Sequence, residues 1–339
     1  MRTAGLVDLQ VNGFAGVDFN AGAALDPAAM DHALAAMLTT GVTTCLPTVI
    51  TAEPAVMLER LQALEAAISA SRLGRSMCPG YHVEGPFLNP ADGYAGCHPS
   101  SAMTAPDYNL IERLEAAVTR PVLLVTIAPE LVGSLAFIIH ARAAGKLVAI
   151  GHSAAGVASV AEAAGAGAAM STHLGNGLPA SLPKLDNTLM AQLAEDRLSA
   201  SFIADGIHVP PHALKVMLRA KSGERSILVT DATAAAASPP GQYRFAGMTI
   251  ERSADGTVRV PGTHSLAGSS LCLDAAVRNL IAWGVATPDL ALRMASTHPR
   301  ALLEPALRAH GLDWDWGDVT WTEDWRPQHG RPMAMGEMG

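Results

Sequence analysis

Short apolar runs alternate with longer segments rich in alanine and leucine along most of the chain. The runs at 5–11, 44–50, 80–84, 122–128, 147–151, 169–173, 200–204 and 227–231 are predicted as strands. The intervening segments, such as 26–40, 55–71, 131–144 and 156–164, are made of good helix formers and are predicted as helices. Strands joined in this way by helical crossovers satisfy a (β/α)8 TIM barrel. A doubly wound sheet gives a similar tally, so spacing alone leaves both open. After the eighth run the pattern changes. Two short alternating stretches around Asp255-Gly256, within about 243–260, read as a β-hairpin insertion, and 271–283 and 288–295 read as helices. From Gly311 onward tryptophan is concentrated: Trp314, Trp316, Trp321 and Trp325 are four of the five in the chain. That tail reads as a terminal strand or loop packed on the barrel or on a partner subunit, with an aromatic sugar platform as the other option. The expected organisation is a barrel over 1–310 followed by a tail over 311–339.

Composition narrows the class. Of 339 residues 49% are hydrophobic and 16% charged, enough to build a large core and too apolar for a disordered chain. The net charge is −8 and no Lys/Arg-rich run is present, which argues against nucleic-acid or membrane-surface partners. Cys45, Cys78, Cys97 and Cys272 form no C-x-x-C pair, as expected of a reduced, cytoplasmic protein. No signal peptide or membrane span is expected.

Chemistry enters where polar residues interrupt the apolar runs. His82 and Glu84 close the third, His152 the fifth, His173 the sixth and Asp231 the eighth. Singly, each is more often a cap or a satisfied core residue. In a barrel, however, these strand ends converge on one mouth. Imidazoles with a carboxylate are the ligand set for Zn²⁺ or a similar divalent ion with a position left for water. The first run ends Gln10-Val11-Asn12, where many amidohydrolases carry a His-x-His pair, and the fourth supplies no lysine. A mononuclear site is therefore expected.

At these residues the chain resembles the N-acetylglucosamine-6-phosphate deacetylase family of the amidohydrolase superfamily. The resemblance rests on motifs in order: Asp8-Leu9-Gln10-Val11-Asn12-Gly13, His82-Val83-Glu84-Gly85-Pro86, Gly151-His152-Ser153, Ser171-Thr172-His173-Leu174, Ala204-Asp205-Gly206-Ile207-His208, Thr230-Asp231-Ala232-Thr233 and Leu266-Ala267-Gly268-Ser269. It spans roughly residues 5–303 and is specific in combination. It implies that Glu84, His152 and His173 bind one divalent ion per chain, zinc first, with iron, manganese or cobalt as alternatives. It implies Asp231 as the catalytic acid/base and His98 beside the reacting amide. Gly175-Asn176-Gly177 would hold the sugar phosphate, and His208 would bind substrate. Lys184 stands where the family has an arginine for the phosphate, and lysine lacks its bidentate fork. The family's accessory β-sandwich is expected to be missing or much reduced. The implied reaction is removal of the acetyl group from N-acetylglucosamine 6-phosphate or a close N-acetylhexosamine phosphate, in a homodimer. An unphosphorylated N-acetyl sugar or another N-acyl compound is the alternative substrate.

Overall fold

The computed structural model describes residues 1–263 and 265–331. Eight parallel strands form one sheet: Leu6–Val11, Val42–Ile50, Tyr81–Glu84, Val122–Ile127, Leu147–Ile150, Met170–Ser171, Ser199–Phe202 and Ser226–Leu228. They pair in chain order. The ring closes just beyond the last strand, where Val11 bridges Ala232 in parallel and the Asn12 N–H donates to the Ala232 carbonyl at 2.7 Å. The expected (β/α)8 barrel is therefore the fold, and closure excludes the doubly wound sheet.

Burial on both faces explains why the strands read as unbroken apolar runs. All nine residues of Val42–Ile50 are buried, as a strand between a barrel interior and a helical layer requires. Helices start where capping chemistry starts them. Asp26 accepts the Ala28 N–H at 2.9 Å and Pro27 opens the helix Pro27–Thr39. Outside the barrel, Glu65 ties two helical crossovers to the third strand. Its carboxylate accepts Arg120 Nη1 (2.6 Å), Thr119 Oγ1 (2.7 Å), Ser69 Oγ (2.8 Å) and the fully buried Tyr81 hydroxyl (2.6 Å).

The region 243–260 holds more structure than the expected hairpin. Gly241–Phe245 pairs antiparallel with Met248–Arg252, which pairs in turn with Val258–Arg259. The Asp255-Gly256 turn is present, and a second turn at Ala246-Gly247 precedes it. A small apolar cluster of Ile50, Ala235, Phe245, Ile250, Val258 and Ala267 joins this sheet to the barrel.

Residues 332–339 of the tail fall outside the described residues. Within it, Asp318–Trp321 pairs with Arg2–Ala4 on one side and Pro327–Arg331 on the other. Trp314 Nε1 donates to Thr44 Oγ1 (3.0 Å) and Trp321 Nε1 to Thr3 Oγ1 (2.8 Å). Thr43 and Thr44 lie at the start of the second strand, so these rings lie at the end of the barrel opposite the C-terminal strand ends. No helix among the described residues is long and apolar enough to cross a membrane.

Candidate active site at the barrel mouth

The C-terminal strand ends surround a cavity of about 420 Å³ lined by Asn12, Glu84, His98, His152, His173, Asn176, His208 and Asp231, among others. His152, His173 and Asp231 each follow a strand with positive φ (50°, 30° and 50°), a left-handed bend that non-glycine residues seldom adopt. The bend turns each side chain back over the end of its own strand and into the mouth.

Glu84 is the hub. His173 Nε2 lies 2.9 Å from its Oε1, His152 Nε2 3.5 Å from the same oxygen, and His98 Nε2 3.7 Å from Oε2. Burial opposes ionisation of this carboxyl, but the adjacent imidazoles, with His173 hydrogen-bonded to it, outweigh burial and hold it well below the ordinary range. Burial and the adjacent His152 push His98 down to about 3, so that ring is neutral. Desolvation and the Glu84 charge push Asp231 up to about 6.

Three of the rings, those of His152, His98 and His208, are fixed from behind. His152 Nδ1 meets the Tyr94 carbonyl at 2.7 Å, which puts its proton on Nδ1 and leaves Nε2 with a free lone pair facing Glu84. That Nε2 is buried and has no hydrogen-bond partner. The His173 backbone N–H donates to Ser201 Oγ at 2.7 Å, whereas its ring Nδ1 is buried without a hydrogen-bond partner. His98 Nδ1 lies 2.9 Å from Thr51 Oγ1, and the same hydroxyl donates to the Glu84 backbone carbonyl at 3.1 Å. His208 Nδ1 meets Asp205 Oδ2 at 2.6 Å.

The donor set fits a divalent cation. One ligand atom each from Glu84, His98 and His152 lie within 4.8 Å of one another, and His173 reaches the same carboxylate. The orphaned Nε2 of His152 is the observation that decides the fit, because a buried imidazole nitrogen without a partner is costly unless something coordinates it.

Sequence patterns concealed several contributors. Gln10 Nε2 donates to Glu84 Oε1 (3.0 Å) and Asp231 Oδ1 (3.2 Å), and Asn12 Nδ2 to Asp231 Oδ1 (2.7 Å). The two amides at the His-x-His position thus tether both carboxylates. His82 shares the inward face with Glu84 but lies one layer deeper, held by Thr126 Oγ1 at 2.8 Å, and does not line the cavity. Gly175, Asn176 and Gly177 line it, whereas Lys184 is exposed and does not.

Comparison with known proteins agrees with this geometry. The chain is 33% identical over 299 residues to the N-acetylgalactosamine-6-phosphate deacetylase of Escherichia coli O157:H7, covering 88% of this chain and 76% of that one. It is 34% identical over 312 residues to the human N-acetylglucosamine-6-phosphate deacetylase, covering 88% and 73%. It belongs to the N-acetylglucosamine-6-phosphate deacetylase family. A mutant of the Mycobacterium smegmatis enzyme, solved in complex with N-acetyl-D-glucosamine-6-phosphate, superposes with a TM-score of 0.84 at 30% identity, over 97% of this chain and 85% of that one. The Pasteurella multocida enzyme gives 0.83 at 25% identity, over 98% and 85%. No family model matches the chain. As a member of this deacetylase family the chain is a metal-dependent hydrolase acting on an amide bond.

One glycine is dictated by the site. A Cβ at Gly177 (φ +61°) would stand 2.6 Å from His152 Nδ1, against the atom that meets Tyr94. Gly177→Ala is expected to displace the ring and lower deacetylase kcat/KM about 100-fold. Steady-state kinetics beside a thermal melt check this; activity within twofold of wild type would show that the loop absorbs the methyl.

Proposed function

We propose that this chain hydrolyses the acetamide of N-acetylglucosamine 6-phosphate to the amino sugar phosphate and acetate. The observation that carries the reading is Asp231, tethered by two amides across the cavity from the Glu84–His152–His173 cluster. Glu84, His152 and His173 would hold one divalent ion, zinc first by their oxygen and nitrogen donors. Such an ion lowers the pKa of water and polarises a carbonyl oxygen.

The chain's own residues do the rest. Asp231 takes the proton of the attacking water and returns it to the leaving sugar nitrogen. With the Thr51 proton turned to its Nδ1, His98 presents Nε2–H to the oxygen that gains charge, a contact worth roughly 3–4 kcal/mol in comparable sites. Asn176, His208 and the backbone of 175–177 receive the sugar and its phosphate. A cytoplasmic homodimer belongs to the same reading.

The exposed position of Lys184 favours a second reading, in which an unphosphorylated N-acetylhexosamine or another N-acyl compound is the substrate. The two separate by acetate release from N-acetylglucosamine 6-phosphate, its galactosamine epimer and plain N-acetylglucosamine, with metal analysis of the same sample. A strong preference for a phosphorylated sugar, with about one ion per chain, is the expected result. Activity on the plain sugar alone would transfer the assignment to the second reading.

A further inference from the structure

The cavity has two kinds of wall. Asn176, His208 and Asp92 make one polar, and Ile50, Cys97, Phe245 and Leu266 make another that is apolar. The apolar wall is built from the small cluster that joins the inserted sheet to the barrel. Ile50 and Phe245 are 2% and 1% exposed there, with Cys97 packed against them. It also adjoins the reacting groups. Ile50 is the strand neighbour of Glu84, and Cys97 immediately precedes His98. Desolvation, then the carboxylates of Asp231 and Glu84, push the Cys97 thiol up to about 12, which agrees with its place beside both.

The proposed substrate matches this division. A sugar phosphate carries hydroxyls and charge on nearly every position, and the methyl of its acyl group is the one part with no polar atom attached. The reacting carbonyl has to lie between Asp231 and the Glu84 cluster, and from there the apolar wall is the adjacent surface that takes a methyl without leaving a polar group unpaired. Phe245 is held on two sides, by its strand and by the cluster, so it cannot retreat for a longer chain.

Resting on the deacetylase reading, we propose that Ile50, Cys97 and Phe245 form the acyl pocket and that the Phe245 ring sets the upper limit on acyl length. One methylene in an apolar pocket changes discrimination by roughly 10- to 200-fold. The test is release of the amino sugar phosphate from N-acetyl-, N-propionyl- and N-butyrylglucosamine 6-phosphate by the zinc-supplemented enzyme, comparing wild type, Phe245→Ala and Phe245→Leu. Wild type is expected to prefer acetyl over propionyl at least about 10-fold, and Phe245→Ala to raise the propionyl/acetyl ratio of kcat/KM by about 10-fold or more. Should the alanine variant fail to fold, Phe245→Leu keeps the apolar cluster and has to move the ratio the same way. If all three substrates fall together at constant ratio, the ring packs on the sugar or only supports the fold, and the proposal is overturned. Activity on all three in wild type without preference overturns it as well, with the deacetylase reading intact. Release from none of the three removes both.

Discussion

Asp231→Asn is expected to lower kcat by about 10³- to 10⁴-fold while the protein stays folded and keeps its metal. The choice of asparagine follows from the contacts. Asn12 Nδ2 and Gln10 Nε2 both donate to Oδ1 of Asp231, and an asparagine can offer its carbonyl oxygen to both. The substitution removes the proton-accepting group and little else. Alanine would leave two sheltered amide donors unpaired and confuse a chemical loss with a structural one. Turnover numbers beside metal content per chain decide the matter. Turnover within tenfold of wild type would take Asp231 out of the proton-transfer role.

The largest effect on stability is expected far from that chemistry, at Glu65. Its carboxylate gathers Arg120, Thr119, Ser69 and Tyr81, and removing it strands a guanidinium and the buried Tyr81 hydroxyl at once. Glu65→Ala is expected to cost about 3 kcal/mol, the lower end for breaking a buried pair, because Arg120 keeps some contact with water. Burial works against ionisation of Glu65, but hydrogen bonds from Thr119, Tyr81 and Ser69 and the Arg120 charge bring it down to about 2. A carboxyl depressed on folding stabilises above its unfolded pKa of about 4.3. That contribution fades as the pH falls from there toward 2. The gap in melting temperature between wild type and Glu65→Gln should therefore be widest near neutrality and shrink below about pH 4. A gap that stays constant down to pH 3 would show that Glu65 ionisation does not supply the stability.

Most of the site could be read before the fold because its residues break apolar runs. Glu84, His152, His173 and Asp231 are conspicuous where a buried strand should have ended in leucine or valine, and the barrel brings them together. Gln10 and Asn12 were legible only as an absence of histidines. An amide's role depends on which carboxylates face it, and those stand 74 and 219 residues further along the chain. The turn at Ala246-Gly247 was concealed for a local reason. Both residues have positive φ (50° and 88°), and alanine is a poor advertisement for that conformation. The helix Thr297–Ala309 gave a weak signal because it contains Pro299 and Pro305. Pro299 falls in the first turn, where its missing N–H costs nothing, and only Pro305 interrupts the interior. Phe245 lines the cavity although it comes from the inserted sheet, a placement no spacing rule announces.

The barrel closes between its first and last strands, and the Asp231 N–H donates to the Gln10 carbonyl at that seam. Asp231, the residue proposed to transfer the proton, is thus in place only when the first barrel strand meets a segment more than 200 residues further along the chain. Contacts of such separation form late, after local helices and adjacent strand pairs. On the proposed roles, a chain that held Glu84, His152 and His173 together without this seam would lack its proton-transfer group in position. Closing the ring and completing the proposed site are thus the same structural event.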